Sequence, residues 1–220
     1  MTTNKLDLQF TLGFTAAVFF SLLLLTLRIL KTDSLFLTFL IWNLFLACIP
    51  YIFSYILNRF QLRSLAFYLV FGCWLLFLPN APYILTDFKH LTHQLSTIVW
   101  YDTLLISTFA MNGLLIGIRS IQLVHQSLCK RTSRLLSHLI IIFSLYLSGF
   151  GIYLGRVLRW NSWDILNNPF ELLTDLIYIV SHPLNNFQAY LYTFAFGTFL
   201  ITLYYLFPKY TTPSKIQSKI

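Results

Sequence analysis

Apolar residues run along this chain in stretches of about twenty, separated by short polar gaps. A helix crossing the roughly 30 Å hydrocarbon core of a bilayer needs about 20 residues. Such runs occur at Leu8 to Leu27, Leu35 to Leu57, Leu95 to Ile118, Leu135 to Gly155 and Phe187 to Phe207. A sixth, Ser64 to Leu78, holds only about 15 residues, roughly 22 Å of helix, before Pro79-Asn80-Ala81-Pro82. It predicts a short or broken span. Strict alternation over ten-residue stretches is absent, which excludes a transmembrane barrel. The pattern predicts an all-α polytopic membrane helix bundle of about six transmembrane helices with a Pro-broken third helix. It reads as one integral membrane domain over residues 1–207, followed by a polar cytoplasmic tail, 208–220.

Composition agrees. The chain is 57% hydrophobic, 18% aromatic and only 10% charged, against about 25% charged in soluble domains. The formal charge of +8 does not point to nucleic acid, because the basic residues sit in the gaps, where Lys and Arg set membrane orientation. With the N-terminus inside, the inner segments hold Lys5, Arg59, Arg63, Arg119, Lys130, Arg131, Arg134, Lys209, Lys215 and Lys219. The outer ones hold Arg28, Lys31, Lys89, Arg156 and Arg159, offset by Asp33, Asp87, Asp164, Glu171 and Asp175. The positive-inside rule puts both termini in the cytoplasm and Trp100, Trp160 and Trp163 at the outer interface. Cys48, Cys73 and Cys129 lack metal-type spacing. The first apolar run is too long for a signal peptide and has no A-x-A site, so it is expected to remain as the first span.

Two unusual segments share the outer face in this topology. In the first, Leu78 to His90, Pro79 and Pro82 should push Leu78 and Ala81 out of the α region. A new helix is expected from Pro82. At α-helical spacing Tyr83, Asp87, His90 and Gln94 then form one polar stripe, with His93 pointing elsewhere. Broken backbone at membrane depth must be buried in protein or line a wet cavity; the alternative is an interfacial turn and surface helix. In the second segment, Gly149 to Asp164, Gly151 and Gly155 form a G-x-x-x-G face for close helix approach or for a homo-oligomer or membrane partner. Arg156 and Arg159 are fixed cations able to grip carboxylates or phosphates, or to snorkel to headgroups. Further on, Asn168-Pro169-Phe170-Glu171 resembles a capping box, predicting a short outer interfacial helix from Pro169 to Val180. Asp102, an acid inside a span, is either functional or a counter-charge to Arg156 or Arg159. His125 and His138 are expected to be solvated or interfacial.

The stretches Leu78-Pro79-Asn80-Ala81-Pro82-Tyr83 with Thr86-Asp87 and His90, Trp100-Tyr101-Asp102, Gly151 to Arg156 and Arg159 to Asp164 resemble an uncharacterised bacterial membrane-protein family, domain of unknown function 1361. The resemblance implies a multi-span bacterial plasma-membrane protein and supplies no mechanism.

From the residues themselves, the leading expectation is an outward-facing polar pocket that binds or acts on an anionic lipid-linked or envelope substrate. Asp87, His90 and Asp102 would be its catalytic groups, and Asn80, Tyr83, Arg156, Arg159, Trp160, Asn161 and Asp164 would hold substrate. Carboxylate plus imidazole also suits a divalent metal on Asp87 and His90. A small proton-coupled transporter and a membrane scaffold or accessory subunit are the alternatives.

Overall fold

The computed structural model describes residues 2–93 and 98–207. Its elements are helical: α1 (Thr2–Thr32), a 3-10 turn (Phe36–Thr38), α2 (Phe39–Arg59), α3 (Ser64–Phe77), α4 (Asn80–Tyr83), a 3-10 helix (Ile84–His93), α5 (Val99–Cys129), α6 (Arg134–Arg156), α7 (Asp164–Asn167), α8 (Pro169–Ser181) and α9 (Phe187–Leu206). No strand occurs among the described residues. Six segments are long and apolar enough to cross a membrane: Leu8–Thr32, Phe36–Arg59, Ser64–Leu91, Val99–Cys129, Arg134–Arg156 and Phe187–Leu206. The all-α polytopic architecture read from the sequence is the one observed.

The third span is broken, by a different local route from the expected one. Leu78 stays in the α region at φ −54°, ψ −38°, and Ala81 lies inside α4. The prolines act through their missing N–H groups rather than through the residues before them. The regular ladder of α3 stops after 14 residues, and α4 begins at Asn80, two positions before Pro82. Pro82 therefore falls in a first turn, where an absent donor costs little. From Ile84 the chain tightens to a 3-10 helix with three residues per turn. The stripe consequently follows a period of three, aligning Asp87 with His90. Gln94, the expected end of the α-periodic stripe, and the side chain of His93 lie outside the described residues.

The fourth span also departs from expectation. It does not end at Ile118 but continues to Cys129, so Arg119 belongs to a helix and not to a loop. Hydropathy treats Arg119, Ser120, Gln122, His125 and Ser127 as a polar boundary, yet all five are buried. Two thirds (67%) of the most apolar window of α5 is buried, against 17% for α1, so its polar side chains meet protein and not lipid.

Packing groups the chain into two compact units, Met1–Ile49 with Asn80–Gly117, and Pro50–Pro79 with Ile118–Ile220. In the first, Asn112 of α5 donates to Ser21 Oγ at 2.9 Å and to the Ala17 carbonyl at 3.2 Å on α1. Gly113 and Gly117, a G-x-x-x-G pair on α5, seat the broken segment. A Cβ on Gly113 would lie 2.5 Å from the Ala81 carbonyl oxygen, and one on Gly117 2.7 Å from the Ala81 Cβ.

In the second unit, α6 and α9 meet backbone to backbone. A Cβ on Gly149 would lie 2.6 Å from the Thr193 carbonyl oxygen and 3.0 Å from the Gly197 nitrogen. The flank of Gly151 is filled by the Pro79 ring. Close approach between α6 and α9 is thus carried by Gly149 and Gly197, while Gly151 of the predicted face gives Pro79 its room. Buried Trp74 of α3 donates its indole N–H to Ser120 Oγ at 2.7 Å. Helix α8 has Pro169 in its first turn, as predicted, but Asn168 makes no side-chain cap bond, so the capping box is not formed. Ile179 of α8 packs with Tyr153 and Ala189, while Phe170, Leu173, Ile177 and Val180 form an exposed apolar stripe, as an interfacial helix requires.

Candidate functional site

In the first unit, the tight 3-10 turn stacks Asp87 and His90 on one side of the helix. Asp87 is buried, with 1% exposure, although a carboxylate is strongly disfavoured inside protein unless it is paired or hydrogen-bonded. Asn43, a lone amide in the apolar run of α2, supplies one such bond: its Nδ2 donates to Asp87 Oδ2 at 2.8 Å. The other oxygen, Oδ1, faces His90 Nε2 at 3.8 Å. That is an electrostatic contact, longer than a hydrogen bond. The His90 side chain is 34% exposed and its ring is wedged between Phe39 (centroids 5.1 Å apart) and Phe36 (5.8 Å, edge-on). A buried carboxylate, fixed by an amide, thus backs an imidazole that reaches the surface between two aromatic rings. Asn80 and Tyr83, the first and last residues of α4, are half-buried just ahead of this pair.

Asp102 stands in the first turn of α5, fully buried. Its partner is neither Arg156 nor Arg159 but Arg28, near the end of α1. Arg28 Nε reaches Oδ1 at 2.9 Å, and Nη2 donates to Oδ2 at 3.2 Å. Arg28 Nη1 also donates to the Ser34 carbonyl at 3.1 Å. This planar fork is the geometry in which Arg binds carboxylate most strongly. It gives Asp102 a structural counter-charge in place of a free acid.

The segment that follows α6 in the second unit is stitched to itself. Arg156 ends α6, and exposed Arg159 takes a left-handed φ of 64°, turning the chain so that Trp160 N–H donates back to the Leu154 carbonyl at 3.0 Å. The Trp160 indole N–H donates to Asp175 of α8 at 2.8 Å. Asp164 Oδ2 accepts from the Asn161 backbone N–H at 2.7 Å and from its Nδ2 at 3.1 Å. Trp160, Asn161 and Asp164, expected to hold substrate, therefore have partners that build the loop itself.

Among the described residues no group of three or more His, Cys, Asp or Glu converges on a point where a metal could sit; Asp87 and His90 offer two donors. Sequence reasoning missed Asn43 and Arg28. An amide inside an apolar run, and an Arg one turn before the end of a span, were the available signals. It also misplaced His125, which is buried with 6% exposure and accepts from or donates to Tyr204 Oη at 2.5 Å.

Six apolar helices, a proline-broken third span and a buried carboxylate behind a surface imidazole define a multi-span membrane protein with a polar site in its first unit. Residues 42–203 match the family described as "Protein of unknown function (DUF1361)". The chain belongs to that family. Neither the curated proteins nor the solved structures provide a match.

Proposed function

We propose that this is a plasma-membrane protein whose first unit carries an acid–base site, Asp87–His90, acting on an anionic lipid-linked or envelope substrate at the outer face. In this reading residues 1–207 form the membrane domain and both termini are cytoplasmic, as the distribution of Lys and Arg favours. The observation that carries it is the buried Asp87, fixed by Asn43 and facing the surface-reaching His90. An Asp behind a His sets ring orientation and stabilises the imidazolium formed when the other ring nitrogen takes a proton. Catalytic contacts are often long without substrate and tighten on binding, which fits the 3.8 Å separation. Phe36 and Phe39 hold the ring. Asp102, neutralised by Arg28, serves as a positioning residue. By itself, the second unit offers Arg156 and Arg159 as cations for an anionic headgroup.

The test uses the full chain in lipid nanodiscs with a panel of polyprenyl phosphates and phospholipids, scored for headgroup release. His90→Ala and Asp87→Asn should abolish turnover while folding normally. Equal turnover in wild type and His90→Ala would refute the site.

A further inference from the structure

Helix α5 carries a second polar cluster, in the other unit, that the Asp87–His90 site does not use. Gln122 and His125 lie three positions apart, and so on one face of α5. Both are more than nine-tenths buried, with 1% and 6% exposure. The amide of Gln122 is fixed in orientation, because its Nε2 donates to the Phe207 carbonyl at the end of α9 at 2.8 Å. Its Oε1 then has no hydrogen-bond partner among the described residues. The ring of His125 is held in the same way: Nδ1 pairs with Tyr204 Oη of α9 at 2.5 Å, and the edge-on ring of His138 of α6 sits 4.4 Å away, centroid to centroid. Its Nε2 likewise has no partner among the described residues.

Two orientation-locked polar atoms on one face of a helix, left without partners among the described residues, are costly inside a helix bundle. Gln122 Oε1 can only accept, which requires an occupant that donates and disfavours an anion. His125 Nε2 donates when Nδ1 accepts from the tyrosine, and accepts in the other tautomer. Water, a donor and acceptor of minimal volume, satisfies both cases, and buried water takes such positions between otherwise unsatisfied groups. We propose that Gln122 Oε1 and His125 Nε2 form a binding site for an internal water molecule, which completes a Phe207–Gln122–water–His125–Tyr204 network joining α5 to α9.

Magic-angle-spinning NMR of the full chain in lipid bilayers, labelled with 15N-histidine, tests this through magnetisation transfer from water protons to the imidazole nitrogens. His125→Phe assigns the His125 signals by their loss. The expected result is a water contact at His125 Nε2 in the wild type that weakens several-fold in Gln122→Met, where one of the two anchors is gone. It should persist in Tyr204→Phe, where only the Nδ1 signal shifts. No water contact at Nε2 in the wild type would overturn the proposal without recourse to any variant's folding. An undiminished contact in a folded Gln122→Met would overturn the shared site.

Discussion

The buried fork between Arg28 and Asp102 allows a perturbation whose size can be worked out beforehand. Both side chains are sealed, with exposures of 3% and 0%, and the guanidinium donates to both Asp102 oxygens and to the Ser34 carbonyl. Asp102→Ala removes the carboxylate and leaves a cation that cannot deprotonate to escape its burial. Breaking one side of a buried ion pair costs about 3–5 kcal/mol, most of it the penalty of the uncompensated charge. At about 2–4 °C per kcal/mol for a chain of this size, the melting temperature should fall by roughly 6–20 °C. Replacing both partners in Arg28→Met/Asp102→Leu removes the orphan, and such replacements are often neutral or stabilising. The double variant should therefore be more stable than Asp102→Ala alone. Thermal unfolding of the variants in one detergent measures both quantities. A loss below about 1 kcal/mol, the range of exposed pairs, or a double variant no better than the single one, would refute the burial argument.

Gly149→Ala should destabilise the protein, since its Cβ would meet the backbone of Thr193 and Gly197. Gly13→Ala, with nothing within 4 Å, should be neutral or raise stability by up to about 1 kcal/mol through helix propensity; melting of the two side by side checks the contrast. Gly117→Leu should unseat Ala81 and so displace the broken third span, seen as increased protease cleavage near Asn80. Trp74→Phe breaks the bond to Ser120 and leaves a buried hydroxyl short of one partner, with an expected loss of about 1–3 kcal/mol in denaturant or thermal unfolding.

The spans were legible because their signal is local: twenty apolar residues in a row declare a membrane helix wherever the rest of the chain lies. The break after Phe77 and the helix start at Pro169 were legible for the same reason, though not the local conformation at Pro79 and Pro82. Three kinds of feature were hidden. Pairing across sequence, as between Arg28 and Asp102, 74 positions apart, or between Asn43 and Asp87, leaves no periodic trace. The end of α5 was misplaced because hydropathy scores Arg119 to Ser127 as solvated, whereas those polar groups are buried and several bond neighbouring segments. His125 reaches Tyr204, Ser127 Oγ donates to the Leu57 carbonyl at 2.8 Å and Gln122 donates to the Phe207 carbonyl. The stripe of Asp87 and His90 was found with the wrong period, since nothing in the residues announced a 3-10 helix after Tyr83.

In the proposed site Asp87 activates His90, which opens to the outer face. The most direct measurement is the rate of His90 acylation by diethyl pyrocarbonate, read by mass spectrometry on sealed, right-side-out vesicles at a pH where free imidazole is neutral. His182, exposed in the second unit, provides an internal reference for imidazole reactivity. His90 should be modified from outside, and Asp87→Asn should slow it several-fold while leaving the rate at His182 unchanged. Equal rates for His90 in the wild type and Asp87→Asn, or protection of His90 from the outside reagent, would contradict the proposed site.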